Sequence, residues 1–379
     1  MGEIIGYDGL ANCPNREHRR QRRLLQPAFS SARFPAYADV LAAETAKITA
    51  RWRDGQVIDV LDDMDAIAGR GLALTILSGS LRGPALEQAV RDVAAVGRGA
   101  FRRMLTPPPL DRLPTPANHR YRRAIARLHA AVRAAIAGRR ASRGDDGDLL
   151  SAMLAAHDPG SSAAALSDSE IIDNLVTFVF GGSEATASAL AWALHLLGQH
   201  PDVAKQVEAE ADAVLAGAPA CFGHLPRLEI TRRVLDETMR LYPPGWMFTR
   251  TVTADTRLGR HTLPAGTNIL YSPYSIHHRS DLFTEPDRFN PDRWDTAKPP
   301  RHAFIPFGAG ARKCIGDQFS LVQATLALAT ISASWHLEPV PGHRVRPALA
   351  VALRPRGLQM RTVRRARTRL DCLGDYRYP

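Results

Sequence analysis

The chain has little cysteine, almost no lysine and no long apolar run. Its 379 residues include 4 cysteines, Cys13, Cys221, Cys314 and Cys372, far apart and without a CxxC pair. That spacing argues against a zinc site, and so few thiols in so long a chain argue against a disulfide framework. No stretch of about 18 uninterrupted apolar residues occurs, so no transmembrane helix or membrane anchor is predicted. Met1 to Arg20 lacks the basic-then-apolar order of a signal peptide, and a cytoplasmic protein is expected. Only Lys47, Lys205, Lys298 and Lys313 are lysines among 49 basic residues, so arginine carries nearly all of the positive charge behind the net +11. Such a surface suits an acidic protein partner. Nucleic acid is not expected, because no basic stripe interleaved with aromatics is present. With 45% apolar and 23% charged residues, the composition is that of a globular protein, not a disordered or fibrous one.

Helical periodicity dominates the first two thirds. Apolar residues recur at helical spacing over 36–52, 58–81 and 88–104, and an arginine- and alanine-rich helix is predicted over 118–141. Thr106 to Pro116 reads as a proline-rich connector and Ser142 to Asp148 as a polar loop. The longest helix is predicted over 167–197, where Ser167 and Glu170 have capping-box spacing, and His200-Pro201 ends it. Helices over 202–215, 227–241 and 317–335 follow. From Phe248 to Tyr271, alternation and a Pro-Ala-Gly turn predict short strands, and 348–363 reads as a hairpin. Many helices with a few late strands imply a mainly α protein with small β-sheets, not an alternating βαβ fold.

The chemistry concentrates in Phe307 to Gly316, FGAGARKCIG. This glycine-rich turn delivers Cys314 to a helix start, where free N–H groups and the helix dipole favour a thiolate. Gly308 and Gly310 allow backbone angles and close approaches that bulkier residues resist. Arg312 suits a ligand carboxylate, and a thiolate in such a loop suits an axial metal ligand. For a cysteine taken at random, burial beside a helix cap is the commoner explanation. The segment, however, matches the haem signature F-G-x-G-x-R-x-C-x-G at every defined position, and the chain resembles the cytochrome P450 family. The resemblance implies the cytochrome P450 fold and haem b as cofactor. Cys314 would be the thiolate ligand of the iron, and Arg312 a propionate contact. Phe307 would pack near the sulfur, and Gly316 would let the next helix pass close to the porphyrin.

Other segments resemble the family in the right order. Glu237 and Arg240 match E-x-x-R; their i, i+3 spacing lets them pair on one helical face. The family adds a downstream arginine. Both Asp287-Arg288-Phe289 and Asp292-Arg293-Trp294 fit the wording, and Arg293 is favoured by its place after the FNP turn. This trio would brace the haem loop. His18 and Arg22, at i, i+4, would hold a propionate, and Arg250 would be a third propionate contact. Gly181-Gly182-Ser183-Glu184-Ala185-Thr186 resembles the segment that crosses the haem above the iron. There the glycines leave a gap for dioxygen and water, and Glu184 would serve a proton relay.

Two departures from the family pattern stand out. Ala185 occupies the place of the expected threonine, and Thr186 lies about 100° further round a helix. A substrate hydroxyl or ordered water replaces the threonine, or coupling is poor with peroxide leakage, or the protein is weak or inactive as a monooxygenase; all three stay open. The chain also begins almost at the His18/Arg22 motif. A miscalled start or a natural truncation is expected, with the N-terminal strands and first helices missing, sheet edges unpaired and the pocket partly open. Residues 1–365 would form the haem domain and 366–379 a poorly ordered tail.

The activity implied is a monooxygenase that inserts one oxygen atom of O2 into a hydrophobic small molecule. The thiolate would favour O–O cleavage. Electrons would come from a ferredoxin and its reductase, with docking at the basic run Arg19 to Arg23; the protein would be a monomer. Phe178, Val179, Gly182, Trp246, Met247 and Phe248 are nominated as substrate contacts. Residues 248–278 resemble bacterial terpene oxygenases of the pentalenene oxygenase type, which points to a terpenoid. The alternatives are peroxide-driven or non-monooxygenase haem chemistry, and an inactive truncated remnant.

Overall fold

The computed structural model describes residues 8–77, 83–106, 113–142, 147–156, 165–296 and 299–366. Most of the Thr106–Pro116 connector, the middle of the 142–148 loop and the tail from 367 onward lie outside these residues.

The described chain is built on helices α1 (Asn15–Leu25), α2 (Phe34–Thr49), α3 (Val60–Leu77), α4 (Pro84–Leu105), α5 (Pro116–Ser142), α6 (Leu149–Ala155), α7 (Asp168–Gln199), α8 (Pro201–Leu215), α9 (Glu229–Leu241), α10 (Pro273–His277), α11 (Arg293–Thr296) and α12 (Asp317–Ser334). The strands are β1 (Val57–Asp59), β2 (Phe248–Thr251), β3 (Thr256–Leu258), β4 (His261–Leu263), β5 (Asn268–Tyr271), β6 (Trp335–Pro339), β7 (Arg346–Leu349), β8 (Leu353–Arg356) and β9 (Gln359–Arg364). All sheets are small and antiparallel: β1-β9-β6, β2-β5, β3-β4 and β7-β8.

The axis of the fold is α7. Its capping box forms as the spacing predicts: Ser167 Oγ accepts from the Glu170 N–H at 3.2 Å, and Glu170 Oε2 accepts from the Ser167 N–H at 2.8 Å. Such a cap contributes about 1 kcal/mol. Beyond the cap the helix is apolar on most sides and is buried among α3, α12 and α9. α3 comes close because Gly182 carries no side chain; a Cβ there would sit 2.8 Å from Leu72 Cδ2. α12 is buried along most of its length and starts three residues after Cys314, so the cysteine loop is anchored in the core.

Two predicted elements differ from the structure, and one element was not predicted. Residues 57–59 form β1 rather than the first turn of a helix, because each pairs with β9 in register, Ile58 opposite Met360. The 348–363 stretch is not one hairpin. β7 and β8 pair with each other, while β9 leaves to become the central strand between β1 and β6. The short α6 was not anticipated; it is capped by Asp148, whose carboxylate accepts from the Ser151 N–H at 2.8 Å.

Candidate active site

A cavity of about 420 Å3 lies between α7 and the cysteine loop. Its α7 wall is a stripe at helical spacing: Phe178, Gly182, Ala185 and Ala189, with Gly181 and Thr186 beside it. Gly181 has no atom within 4 Å of where a Cβ would project. Phe307, Cys314 and Gly316 supply the loop wall, with Phe307 packed against Ala189, Met239 and Leu321.

Cys314 is presented by backbone geometry. Its N–H donates to the Phe307 carbonyl at 3.0 Å, closing the loop. Gly308 and Gly310 take φ values of +70° and +75°, left-handed angles that a side chain would strain. The side chain is exposed toward the cavity, while the protein packed around it pushes the thiol pKa above its usual value. The hydrogen bond from Gly316 and the charges of Arg22 and Lys313 pull the other way without prevailing. The helix start alone therefore does not make the thiolate; a bound cation is what deprotonates a coordinating thiol.

His18, Arg22, Arg250, Arg312 and Lys313 all line the cavity, and its described lining holds no aspartate or glutamate. Arg312 Nη2 donates to the Cys13 carbonyl at 2.7 Å and to Asn15 Oδ1 at 3.0 Å. Arg22 donates to the Lys313 carbonyl and, at 3.5 Å, to that of Cys314. His18, a turn before Arg22 on α1, is buried; burial first and then Arg312 and Arg22 lower its pKa, favouring the neutral ring. Arg250 shares a face of β2 with Phe248, two residues earlier, and both reach the cavity. Lys313 is paired with Asp317 at 2.5 Å, which leaves Arg22, Arg250 and Arg312 without an acidic partner among the described residues. One thiol, these three cations and apolar walls fit an iron porphyrin with two carboxylates.

A buried polar cluster lies outside the cavity. Glu237 is fully buried and accepts five hydrogen bonds: from Arg240 Nε and Nη2, each at 2.9 Å, Arg293 Nε at 3.0 Å, the Asn290 N–H at 2.9 Å and Trp294 Nε1 at 3.0 Å. Arg288, the other candidate, instead points to Glu285 at the surface. Trp294 and Asn290 were missed by sequence reasoning; nothing but their nearness to Arg293 marks them.

Several nominated residues lie elsewhere. Val179, one position round from Phe178, faces an enclosed apolar space among α3, α4 and α5. Met247 alternates with Phe248 on β2 and its approach, and is 39% exposed. Trp246 turns its indole N–H to the Ala350 carbonyl at 3.1 Å. None of these three lines the cavity.

Glu184 and Thr186 flank Ala185 on opposite sides, and only Thr186 joins the cavity wall. Its Oγ1 is buried and has no hydrogen-bond partner among the described residues. Glu184 is turned to Arg354 of β8 at 3.4 Å, and Arg354 also pairs with Asp65 of α3. Burial raises the Glu184 pKa; the nearby Asp65 charge adds to this and Arg354 opposes it.

Comparison with known proteins agrees with this geometry. The cytochrome P450 family model matches residues 5–361. The chain is 44% identical over 344 residues to cyclooctat-9-en-7-ol 5-monooxygenase of Streptomyces melanosporofaciens, covering 90% of this chain and 74% of that protein. It is 41% identical over 365 residues to pentalenene oxygenase of Streptomyces avermitilis, covering 95% and 81%. The crystal structure of the cytochrome P450DA haem domain superposes with a TM-score of 0.86 at 28% identity, covering 97% of this chain and 82% of that one. The chain belongs to the cytochrome P450 family. It is a P450 monooxygenase and its cofactor is haem b. No described helix is long and apolar enough to cross a membrane.

Proposed function

We propose that this P450 inserts one oxygen atom of O2 into a terpenoid, with electrons delivered by a ferredoxin. Bound haem supplies the oxygen activation; the chain's residues hold it, shape the substrate space and handle protons. Cys314 would bind the iron, and His18, Arg22, Arg250 and Arg312 would face the carboxylates. Phe178, Gly182 and Phe248 would contact the hydrocarbon. Such walls orient a substrate by shape and exclude water. Thr186 brings the hydroxyl that Ala185 lacks, held ready to bond a water or ligand in the cavity. The observation that carries the substrate class is the apolar cavity in a chain whose relatives are named for cyclooctat-9-en-7-ol and pentalenene.

The ferredoxin reading is supported by a groove lined by Arg19, Arg22, Arg23 and Ala311, which adjoins the cysteine loop and would meet an acidic partner. The test incubates haem-loaded protein with ferredoxin, reductase, a cyclic terpene panel and a fatty-acid panel under labelled dioxygen. Label in a terpenoid product is expected. Oxidation of fatty acids only would overturn the substrate class. Turnover with peroxide but not with the ferredoxin pair would favour the peroxide-driven reading.

A further inference from the structure

The partners of Glu237 and Arg240 reach 277 and 286–294, but none lies in the loop that presents Cys314. A brace needs a connection to what it steadies. We propose that His277, held as its Nδ1–H tautomer, is the positioning residue that couples α9 to the haem loop. Its Nδ1 lies 3.2 Å from the Arg240 carbonyl, and its Nε2 lies 3.0 Å from the Ile305 N–H. A carbonyl only accepts and an amide N–H only donates. One proton arrangement satisfies both: Nδ1 donates and Nε2 accepts. The His277 carbonyl in turn accepts from Arg240 Nη1 at 3.0 Å, so residues 240 and 277 are tied twice.

From Ile305 the line runs on through backbone bonds. The Gly308 N–H donates to the Ile305 carbonyl at 3.0 Å, and the Cys314 N–H donates to the Phe307 carbonyl at 3.0 Å. Fixing Ile305 therefore fixes the near end of the turn that carries the thiol. His277 has no exposed surface, so water cannot substitute for either partner. Burial lowers its pKa to about 4; the hydrogen bond to the Arg240 carbonyl opposes this without prevailing, and the charge of Arg240 adds to it, so the ring stays neutral as both bonds require. The rings of Phe304 and Phe283 lie 5.4 Å and 6.4 Å away and restrict its tilt.

The test compares His277→Asn and His277→Gln. An asparagine amide places a donor near Nδ1, and a glutamine carbonyl places an acceptor near Nε2. Asn therefore keeps the bond to Arg240 and loses the loop; Gln does the reverse. Each variant loses one buried bond, so a merely structural role moves both alike. The first readout is the long-wavelength carbon monoxide band of the reduced, haem-loaded protein in mild denaturant. It should decay about tenfold faster in His277→Asn than in His277→Gln, the factor that about 1.4 kcal/mol represents. The second is hydrogen exchange at the Ile305 amide in haem-free protein, faster by a similar factor in His277→Asn. Equal behaviour of the two variants overturns the proposal. Should both fail to fold, wild-type exchange decides: an Ile305 amide exchanging as fast as an exposed loop overturns it, and a protected one upholds it.

Discussion

Replacing Glu237 by glutamine changes one oxygen into an NH2 group and should cost most of the margin that holds the fold. Both carboxylate oxygens are surrounded by donors: Arg240 Nη2, Arg293 Nε and the Asn290 N–H on one, Arg240 Nε and Trp294 Nε1 on the other. Whichever way the amide turns, its donor meets at least two other donors. The substitution also removes the counter-ion of Arg240, which has no exposed surface. Removing one partner of a buried pair costs roughly 3–5 kcal/mol, because the remaining charge cannot reach water. Against a typical stability of about 5–15 kcal/mol, that is enough to deplete the haem-retaining form. The measurement is the denaturant midpoint of unfolding, with the carbon monoxide difference spectrum alongside. A control is Arg288→Ala, which breaks a pair with both side chains more than half exposed, 65% and 60%, and should cost less than about 0.5 kcal/mol. A Glu237→Gln penalty as small as the control's would refute the claim that these five bonds act as one buried unit.

Thr186→Val should leave stability unchanged or raise it by up to about 1 kcal/mol, since the hydroxyl is buried without a partner among the described residues. It should at the same time raise peroxide formed per O2 consumed; unchanged coupling would remove Thr186 from the proton path. Gly181→Ala should stabilise α7 by about 1 kcal/mol, since a Cβ there meets nothing within 4 Å. Gly182→Ala gains the same propensity but displaces Leu72, 2.8 Å away and itself on the cavity wall. Spectral titration should show larger terpenoids weakened more than small ones by that change, and equal weakening would refute the close-contact reading. Burial lowers the pKa of His195 to about 4 from 6.5. Below about 6.5 the unfolded chain takes a proton that the folded chain refuses, so this contribution is intact above that pH and is lost progressively as pH falls to about 4. The loss amounts to about 3 kcal/mol, and His195→Phe should flatten the pH dependence of the urea midpoint by that much.

What was legible in the sequence follows from how local each feature is. The α7 cap, the E-x-x-R pairing and the glycine loop depend on residues a few positions apart, and each forms at its predicted place. Strand β9 was misplaced because one partner, β1, lies near the other end of the chain and the other, β6, is separated from it by the β7-β8 pair, and alternation alone does not say which edge a strand seeks. The same distance hid Trp294 and Asn290, which carry no periodic mark, and the cavity wall from α3, whose periodicity marks a helix but not what it faces. The cavity stripe shows where the limit falls. Helical spacing groups Phe178, Gly182, Ala185 and Ala189 on one face, but leaves the two flanks equivalent. Neighbours break that symmetry. Arg354 on strand β8, itself held by Asp65 of helix α3, draws the Glu184 carboxylate away from the cavity, while Thr186 has no partner among the described residues and stays on its wall. Which flank borders the cavity is thus tied to an arginine 170 positions downstream of the acid. Replacing Arg354 by methionine should free Glu184 and raise its pKa further, because the arginine's opposing charge is gone. A carboxyl infrared band that shifts toward the protonated form at neutral pH is the expected result; an unmoved band would mean that burial alone sets the state of Glu184.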